Sequence, residues 1–241
     1  MENDKKANSA MSLRGLCMEE EKILVPSSLQ ETLWRLEEAR QGFRAKSTAQ
    51  VQEALEWVLS RQGLKGSYCN LFLPTSLDLK QGARLPTGEH VETSAATRHI
   101  LGEEALRAVV IWNRGSSSPV KEAMKGFNQI LERGGRSGSY CCYNCTISFL
   151  RTLAVSRVER ADEILEKGLS KIKKKRMSNG KWHGFPFYYT LLFLSEIDSP
   201  SARDELKYAG KVADGLLKRY QGSDRVSLFR KLGLKAALNV I

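Results

Sequence analysis

The sequence predicts an all-α protein built from stacked αα-hairpin repeats. Three observations lead to this prediction. From Leu29 onward, apolar residues recur at helical spacing. No segment shows the alternation of a sustained strand, and a short glycine–aromatic motif returns along the chain. Together these patterns predict about ten helices.

The composition is that of a soluble globular protein. The chain has 241 residues, of which 41% are hydrophobic and 27% charged, and this balance excludes a mainly disordered or fibrous protein. No apolar stretch approaches the roughly 20 residues that span a bilayer, and the first residues form no apolar signal segment. We therefore expect a cytoplasmic protein without a membrane span. A polar, disordered tail is expected over residues 1–22, followed by one repeat domain over residues 23–241.

The net charge indicates which partners the protein could bind, and the cysteine count bears on disulfide bonds. Lysine and arginine outnumber the acidic residues, which gives a formal charge of +11. Such an excess attracts phosphates and acidic surfaces, so nucleic-acid binding through a basic surface is one alternative. No phosphate-binding loop or nucleic-acid motif accompanies the charge. The odd number of cysteines, five in all, indicates free thiols and not a disulfide framework.

The first elements follow from the apolar spacing. One helical stripe consists of Leu29, Leu33, Leu36 and Phe43. The next consists of Val51, Leu55, Val58 and Leu59. Ser47 or Thr48 can cap this second helix, because a side-chain oxygen accepts from a free N–H of the first turn. Residues 63–91 are interrupted by proline and glycine and predict a long connection, and helical spacing resumes near Glu92.

A repeated motif defines the rest of the chain. The string Gly66-Ser67-Tyr68-Cys69 returns as Gly138-Ser139-Tyr140-Cys141 and, altered, as Gly180-Lys181-Trp182-His183. The last two copies are 42 residues apart, and at the same offset Gly126 matches Gly168. Each motif follows an amphipathic helix, so the predicted unit is outer helix, turn and inner helix. Inner helices are expected near residues 92–101, 144–156 and 185–197, and such pairs must stack to bury their apolar faces.

This repeat resembles that of the prenyltransferase and squalene-cyclase family. The resemblance covers roughly residues 50–199 and is carried by the Gly-x-Trp turn and the aromatic inner helix beginning Phe187-Tyr188-Tyr189-Thr190. It implies an α/α toroid whose inner helices line an apolar cavity. Because the chain is short for a complete ring, the toroid is expected to be open or incomplete. A protein partner or self-association would then complete it.

The family's catalytic motifs are missing. Tyr189 stands where the protein prenyltransferases have a zinc-binding histidine, and no Asp-x-Cys pair is present. Asp78 is the single acid in the string nearest to the cyclase Asp-x-Asp-Asp motif. We therefore expect a repeat protein without a cofactor that binds an apolar isoprenoid-like ligand or a partner protein on its inner face. The alternative is an isoprenoid-processing transferase or cyclase, so whether the protein is an enzyme stays open.

Two groups of residues are candidates for binding and catalysis. The ligand-binding candidates are aromatic residues of the later repeats: Tyr140, Tyr143, Trp182, Phe185, Tyr188 and Tyr189. Aromatic faces suit an apolar or cationic ligand, although the same residues could simply fill the centre of the repeats. The catalytic candidates are Glu89, His90 and Glu92, because carboxylates beside a histidine can act as acid and base. Acids before a helix also stabilise its positive end, which is the structural alternative.

The metal-ligand candidates are Cys69, Cys141 and His183, which occupy equivalent places in successive motifs. Packed helices lie about 8–10 Å apart, whereas a zinc–sulfur bond is about 2.3 Å long. Residues from three different repeats should therefore lie too far apart, and we expect no tightly bound catalytic zinc. Cys142 and Cys145 lie close to Cys141 in sequence, and His99 is expected to be a core histidine.

Overall fold

The computed structural model describes residues 22–91, 93–112 and 114–240. Within these ranges the protein has ten α-helices and one short two-stranded sheet, which confirms the all-α prediction. The tail predicted over residues 1–22 lies outside the described residues except for Lys22. None of the helices in the described part of the chain is long and apolar enough to cross a membrane.

The helices are numbered here in chain order. They are α1 (Leu29–Arg40), α2 (Thr48–Leu59), α3 (Ser76–Gln81), α4 (Ser94–Ile111), α5 (Ser118–Glu132), α6 (Tyr143–Val155), α7 (Ala161–Lys173), α8 (Phe187–Leu194), α9 (Pro200–Arg219) and α10 (Arg225–Leu238). The connection predicted over residues 63–91 is more regular than expected. It contains a 3-10 turn at Tyr68–Asn70, helix α3 and an antiparallel hairpin of β1 (Ala83–Arg84) and β2 (His90–Val91).

Side-chain caps fix where several helices begin. Of the two candidates for α2, Ser47 is the cap, since its hydroxyl accepts from the Gln50 N–H at 3.2 Å. Thr93 caps α4 in the same way, accepting from the Ala96 N–H at 3.1 Å. Such a cap satisfies one of the first-turn N–H groups that have no partner inside the helix.

The inner and outer helices are those that the repeat predicts. Helices α6 and α8 are buried over most of their length, whereas α5 and α7 bury a single apolar stripe each. Helix α4 is also an inner helix but continues to Ile111, ten residues beyond the predicted end at residue 101. The buried apolar side chains of the described residues form one contiguous core. Closure of the helix pairs into a ring stays a prediction.

Glycines lie at the close contacts between the glycine–aromatic turns and the outer helices. A Cβ atom added to Gly126 of α5 would lie 1.7 Å from the Cys69 carbonyl oxygen. At the next repeat, a Cβ atom on Gly138 would lie 2.3 Å from the Gly168 nitrogen of α7. The first two glycine–aromatic turns therefore pack their backbone directly against the outer helices α5 and α7, where only a residue without a side chain fits. This contact explains why Gly126 and Gly168 recur with the motif.

A buried ion-pair network occupies the place where the inner helices meet. Arg151 of α6 is fully buried, and its guanidinium lies 2.7 Å from Glu104 of α4 and 2.8 Å from Glu196, which follows α8. Arg107 of α4 lies 2.8 Å from the same Glu196 and 3.3 Å from Glu37 of α1. The network therefore joins α1, α4, α6 and the end of α8.

Charged groups are therefore buried where these helices meet. The cavity beside Glu37, Glu104, Arg107 and Arg151 has a volume of about 30 Å³, which is room for about one water molecule. Burial alone would raise the pKa of Glu196, but the Arg107 and Arg151 guanidiniums outweigh burial and hold that pKa below its ordinary value. The Glu196 carboxylate therefore stays charged inside the protein.

The glycine contact generates a stability prediction. Gly126→Ala forces a methyl group into the Cys69 carbonyl, so the turn must move away from α5, and we expect a loss of about 2–3 kcal/mol in the free energy of unfolding. Gly215→Ala in α9 is the matched control, because an added Cβ there meets no atom within 4 Å. The control should be neutral or stabilised by up to about 1 kcal/mol. Urea unfolding followed by circular dichroism measures both, and equal stabilities would contradict the packing described.

Candidate functional site

An open cavity of about 480 Å³ lies beside the beginning of α6. Its size is within the range of small-molecule sites in proteins, about 300–1,000 Å³. The walls come from the second glycine–aromatic turn, the first residues of α6, the end of α7 and the segment before α8. The lining residues are Ser139, Tyr140, Cys141, Cys142, Tyr143, Thr146, Lys171, Lys174, Lys175 and Phe185.

One wall of the cavity is aromatic. The rings of Tyr143 and Phe185 pack with their centroids 4.7 Å apart. Gly184 has a φ of +77°, and a Cβ atom on it would lie 2.2 Å from the Tyr143 ring. Glycine at this position therefore lets the chain before α8 pack against Tyr143, which remains 38% exposed and lines the cavity. Tyr143 and Phe185 together give the cavity an aromatic wall, with the two rings inclined at 56°.

Three lysines also line the cavity. Lys171 donates a 2.6 Å hydrogen bond to the Ser139 hydroxyl, and Lys174 and Lys175 are exposed. The Lys175 ammonium lies 5.9 Å from the centre of the Tyr143 ring, within cation–π range. These lysines end α7, where positive charge complements the helix dipole. Among the described residues that line the cavity there is no carboxylate, and the three lysines outnumber the one acidic thiol, Cys142, so the wall keeps a net positive charge.

A thiol–imidazole cluster adjoins the cavity. It consists of His99 from α4, Cys141 from the turn and Cys145 from α6, whose ligand atoms all lie within 4.8 Å of one another. The His99 Nδ1 and the Cys145 Sγ are 3.9 Å apart. Cys145 is buried, whereas Cys141 is exposed and lines the cavity. The cluster therefore has a closed side in the core and an open side in the cavity.

The two glycine–aromatic turns bring the cluster together. Tyr68 of the first turn and Tyr140 of the second hydrogen-bond through their hydroxyls, and the His99 ring lies 3.9 Å from the centre of the Tyr68 ring. Cys69 and Cys141, at equivalent places in the two turns, have φ values of +44° and +47°. Non-glycine residues rarely adopt this left-handed conformation, and it is maintained only where surrounding packing imposes it.

The cysteines at the beginning of α6 differ in acidity. A hydrogen bond from the Cys145 thiol, together with the N–H groups of Asn144 and Cys145, lowers the pKa of Cys142 to about 5. The same hydrogen bond and burial raise the pKa of Cys145. Burial lowers the pKa of His99, so its imidazole is neutral at pH 7. The thiolate form is therefore favoured at Cys142, the N-cap of the helix.

Glu103 is a buried carboxyl group close to the cluster. It lies one helical turn after His99 on α4, and neither of its carboxyl oxygens has a hydrogen-bond partner among the described residues. Burial raises the pKa of Glu103 well above its ordinary value, and the nearby charges of Glu104 and Cys142 act in the same direction. An unpartnered buried acid is costly, so this one requires a functional or electrostatic explanation.

The aromatic residues predicted to bind a ligand fall into two groups. Tyr140, Tyr143 and Phe185 line the cavity. The other three do not. Trp182 is buried and donates to Glu205 at 2.9 Å, and the Tyr189 hydroxyl donates to Glu104 in the ion-pair network. The Tyr188 ring packs under the Arg230 guanidinium, 4.5 Å from the ring centre.

The catalytic candidates lie in the β1–β2 hairpin and do not line the cavity. Thr87 donates to Glu89, and the His90 ring contacts the Gln81 carbonyl at 3.3 Å. Glu92 lies outside the described residues.

Of the three metal candidates, Cys141 alone joins the cluster. The Cys69 thiol accepts from Arg133 at 3.5 Å, and His183 lies outside the group of converging ligand atoms. The sequence argument named His99 only as a core histidine and Cys145 only as a sequence neighbour of Cys141, and it assigned no lysine to a site. The signal that could have found Cys145 is the Cys-Cys-x-x-Cys string that begins α6.

No family model, no curated protein and no solved structure matches this chain. The resemblance to the prenyltransferase and squalene-cyclase family therefore stays a prediction. Any function must be argued from the cavity and the thiol–imidazole cluster themselves.

The buried acid gives a prediction about pH. The pKa of Glu103 is raised on folding, so its contribution to stability is complete below the unfolded pKa and is lost as pH rises toward the folded pKa. Glu103→Gln has no such loss. Relative to the wild type, we expect the free energy of unfolding of this variant to rise by about 1.4 kcal/mol for each pH unit in that window.

Urea unfolding between pH 5 and pH 8, in buffer with a chelator and a reductant, measures the difference. Glu53→Gln, at an exposed position on α2, controls for the removal of one surface carboxyl group. Parallel stability curves for Glu103→Gln and the wild type would mean that Glu103 is not buried as described.

Proposed function

We propose that the protein binds an amphipathic anion of the prenyl diphosphate class, with an apolar chain and a phosphate end, in the cavity beside α6. The observation that carries the proposal is that one cavity combines an aromatic wall with a lysine wall and, among the described lining residues, no carboxylate. This keeps the isoprenoid-like ligand expected from the sequence. It moves the site from the inner face of the repeats to the beginning of α6.

The aromatic wall supports the apolar part of the ligand. Tyr143 and Phe185 offer two rings in contact, inclined at 56° to each other, and the Tyr140 ring also lines the cavity. Covering apolar surface stabilises a complex by about 25 cal/mol for each Å² removed from water. A chain of a few isoprene units is long enough to cover this wall.

The lysine wall supports the anionic part. Lys171, Lys174 and Lys175 approach the cavity from one side, and none of them forms an ion pair with a described acidic side chain. Hydrogen bonds between ammonium groups and phosphate oxygens are about twice as strong as neutral ones. The overall charge of +11 adds a long-range attraction for the same ligand.

Binding measurements with three probes test the proposal. Farnesyl diphosphate contains both parts of the ligand, farnesol lacks the anion and inorganic pyrophosphate lacks the chain. In isothermal titration calorimetry, farnesyl diphosphate should bind more tightly than the other two probes. Its affinity should decrease when salt is added. Lys174→Ala and Lys175→Ala should each weaken it about tenfold, which corresponds to ~1.4 kcal/mol. Tyr143→Ser should weaken farnesyl diphosphate binding and leave pyrophosphate binding unchanged.

Lys207→Ala is the matched control, because Lys207 is an exposed lysine on α9 that does not line the cavity. The Lys207→Ala variant should bind farnesyl diphosphate as tightly as the wild type does. Two results would contradict the proposal. Pyrophosphate could bind as tightly as farnesyl diphosphate, which would leave the aromatic wall without a role. Alternatively, single-stranded RNA could bind where farnesyl diphosphate does not, which would favour the nucleic-acid alternative.

A further inference from the structure

We propose that His99, Cys141 and Cys145 form a zinc site whose fourth coordination position faces the cavity. This inference goes beyond ligand binding and does not depend on it. It also reverses the expectation from the sequence, which considered Cys69, Cys141 and His183 and placed them too far apart. The structure brings together a different set, in which two residues come from helices α4 and α6 and the third from the turn between α5 and α6.

The geometry of the three donor atoms suits zinc. Zn–S and Zn–N bonds of about 2.3 and 2.0 Å in a tetrahedral site place the ligand atoms roughly 3.5–3.8 Å from one another. The His99 Nδ1 and the Cys145 Sγ already lie 3.9 Å apart, and no pair in the cluster exceeds 4.8 Å. Small side-chain rotations would therefore close the site. Thiolate and imidazole ligands also select zinc over magnesium or calcium.

The fold holds these donors in place before any ion binds. His99 lies inside α4 with its ring against Tyr68, and Cys145 is buried in α6. Cys141 has a left-handed backbone, which the packing of Gly138 against α7 imposes on the turn. Ligands on separate, rigid elements keep their spacing, and this is what a metal site needs.

Glu103 is an independent observation that points to a cation. Its carboxyl group is fully buried one helical turn after His99, and both oxygens lack a hydrogen-bond partner among the described residues. A divalent ion at the cluster would place positive charge close to this acid. Carboxylates close to a metal orient its ligands and balance its charge in many proteins.

The exposure of the cluster explains the open position. Cys145 and His99 form its buried side, whereas Cys141 reaches the cavity surface. Three protein ligands with one side open is the arrangement of zinc sites that bind a water molecule or an external ligand. Cys142 also lines the cavity, but its sulfur lies outside the group of converging atoms.

Metal titrations test the site without reference to any activity. Full-length protein is stripped with a chelator under reducing conditions and titrated with Co²⁺ and then Zn²⁺. We expect one equivalent of Co²⁺ to give an intense thiolate-to-cobalt charge-transfer band and tetrahedral d–d bands, which one equivalent of Zn²⁺ abolishes. Zinc should also raise the melting temperature of the wild type.

The variants identify the ligands. Cys141→Ser, at an exposed position, should fold normally and lose at least ~100-fold in metal affinity, as should Cys145→Ser and His99→Gln if circular dichroism shows them folded. Cys69→Ser is the control and should bind like the wild type, because the Cys69 thiol lies outside the cluster. The proposal fails if binding is not stoichiometric, if Cys141→Ser binds normally or if Cys69→Ser loses the metal to the same extent. Farnesyl diphosphate affinity, measured on the same stripped protein, tests the proposed function separately.

Discussion

The buried ion pairs of Arg151 are the interaction on which the rest of the structure depends. The Arg151 side chain is completely buried in α6, and it binds carboxylates from α4 and from the end of α8. Arg107 adds Glu37 of α1 to the network. Four helices therefore converge on charged groups, and none of them can move away without leaving an unpaired charge in the core. Arg151 lies in the second half of α6, so its ion pairs fix the position of this helix and therefore also of its first residues. The cavity, the cysteines and the contact with His99 all lie there.

Much of the fold could be predicted because its information is local. The apolar spacing of α1 and α2 and the offset that relates Gly126 to Gly168 are properties of short segments. In the structure both glycines lie where the preceding glycine–aromatic turn packs against an outer helix. The charged centre could not be predicted, because Arg151 and Glu196 look like ordinary helix residues in sequence. Their burial is set by contacts across many residues of chain, and the family resemblance suggested an apolar lumen instead.

The candidate site could be predicted only in part. Tyr140, Tyr143 and Phe185 were found from aromatic clustering and line the cavity, but Tyr189 has the same sequence signal and lies in the ion-pair network. The thiol–imidazole cluster shows the limit more clearly. Cys141 and Cys145 are neighbours in sequence, whereas His99 comes from another helix and joins them because α4 and α6 pack together. Residue spacing in the sequence does not indicate which helices pack together, so this contact could not be predicted.

Urea unfolding of Arg151→Met tests the central role of the network most directly. Methionine keeps much of the side-chain volume but leaves Glu104 and Glu196 without their main partner, so the account predicts a loss of about 3 kcal/mol or more. Arg203→Met is the control, because Arg203 pairs with Asp198 at the exposed surface, where such a pair contributes about 1 kcal/mol or less. An Arg151→Met protein as stable as the Arg203→Met control would contradict the claim that these ion pairs hold α6 in place.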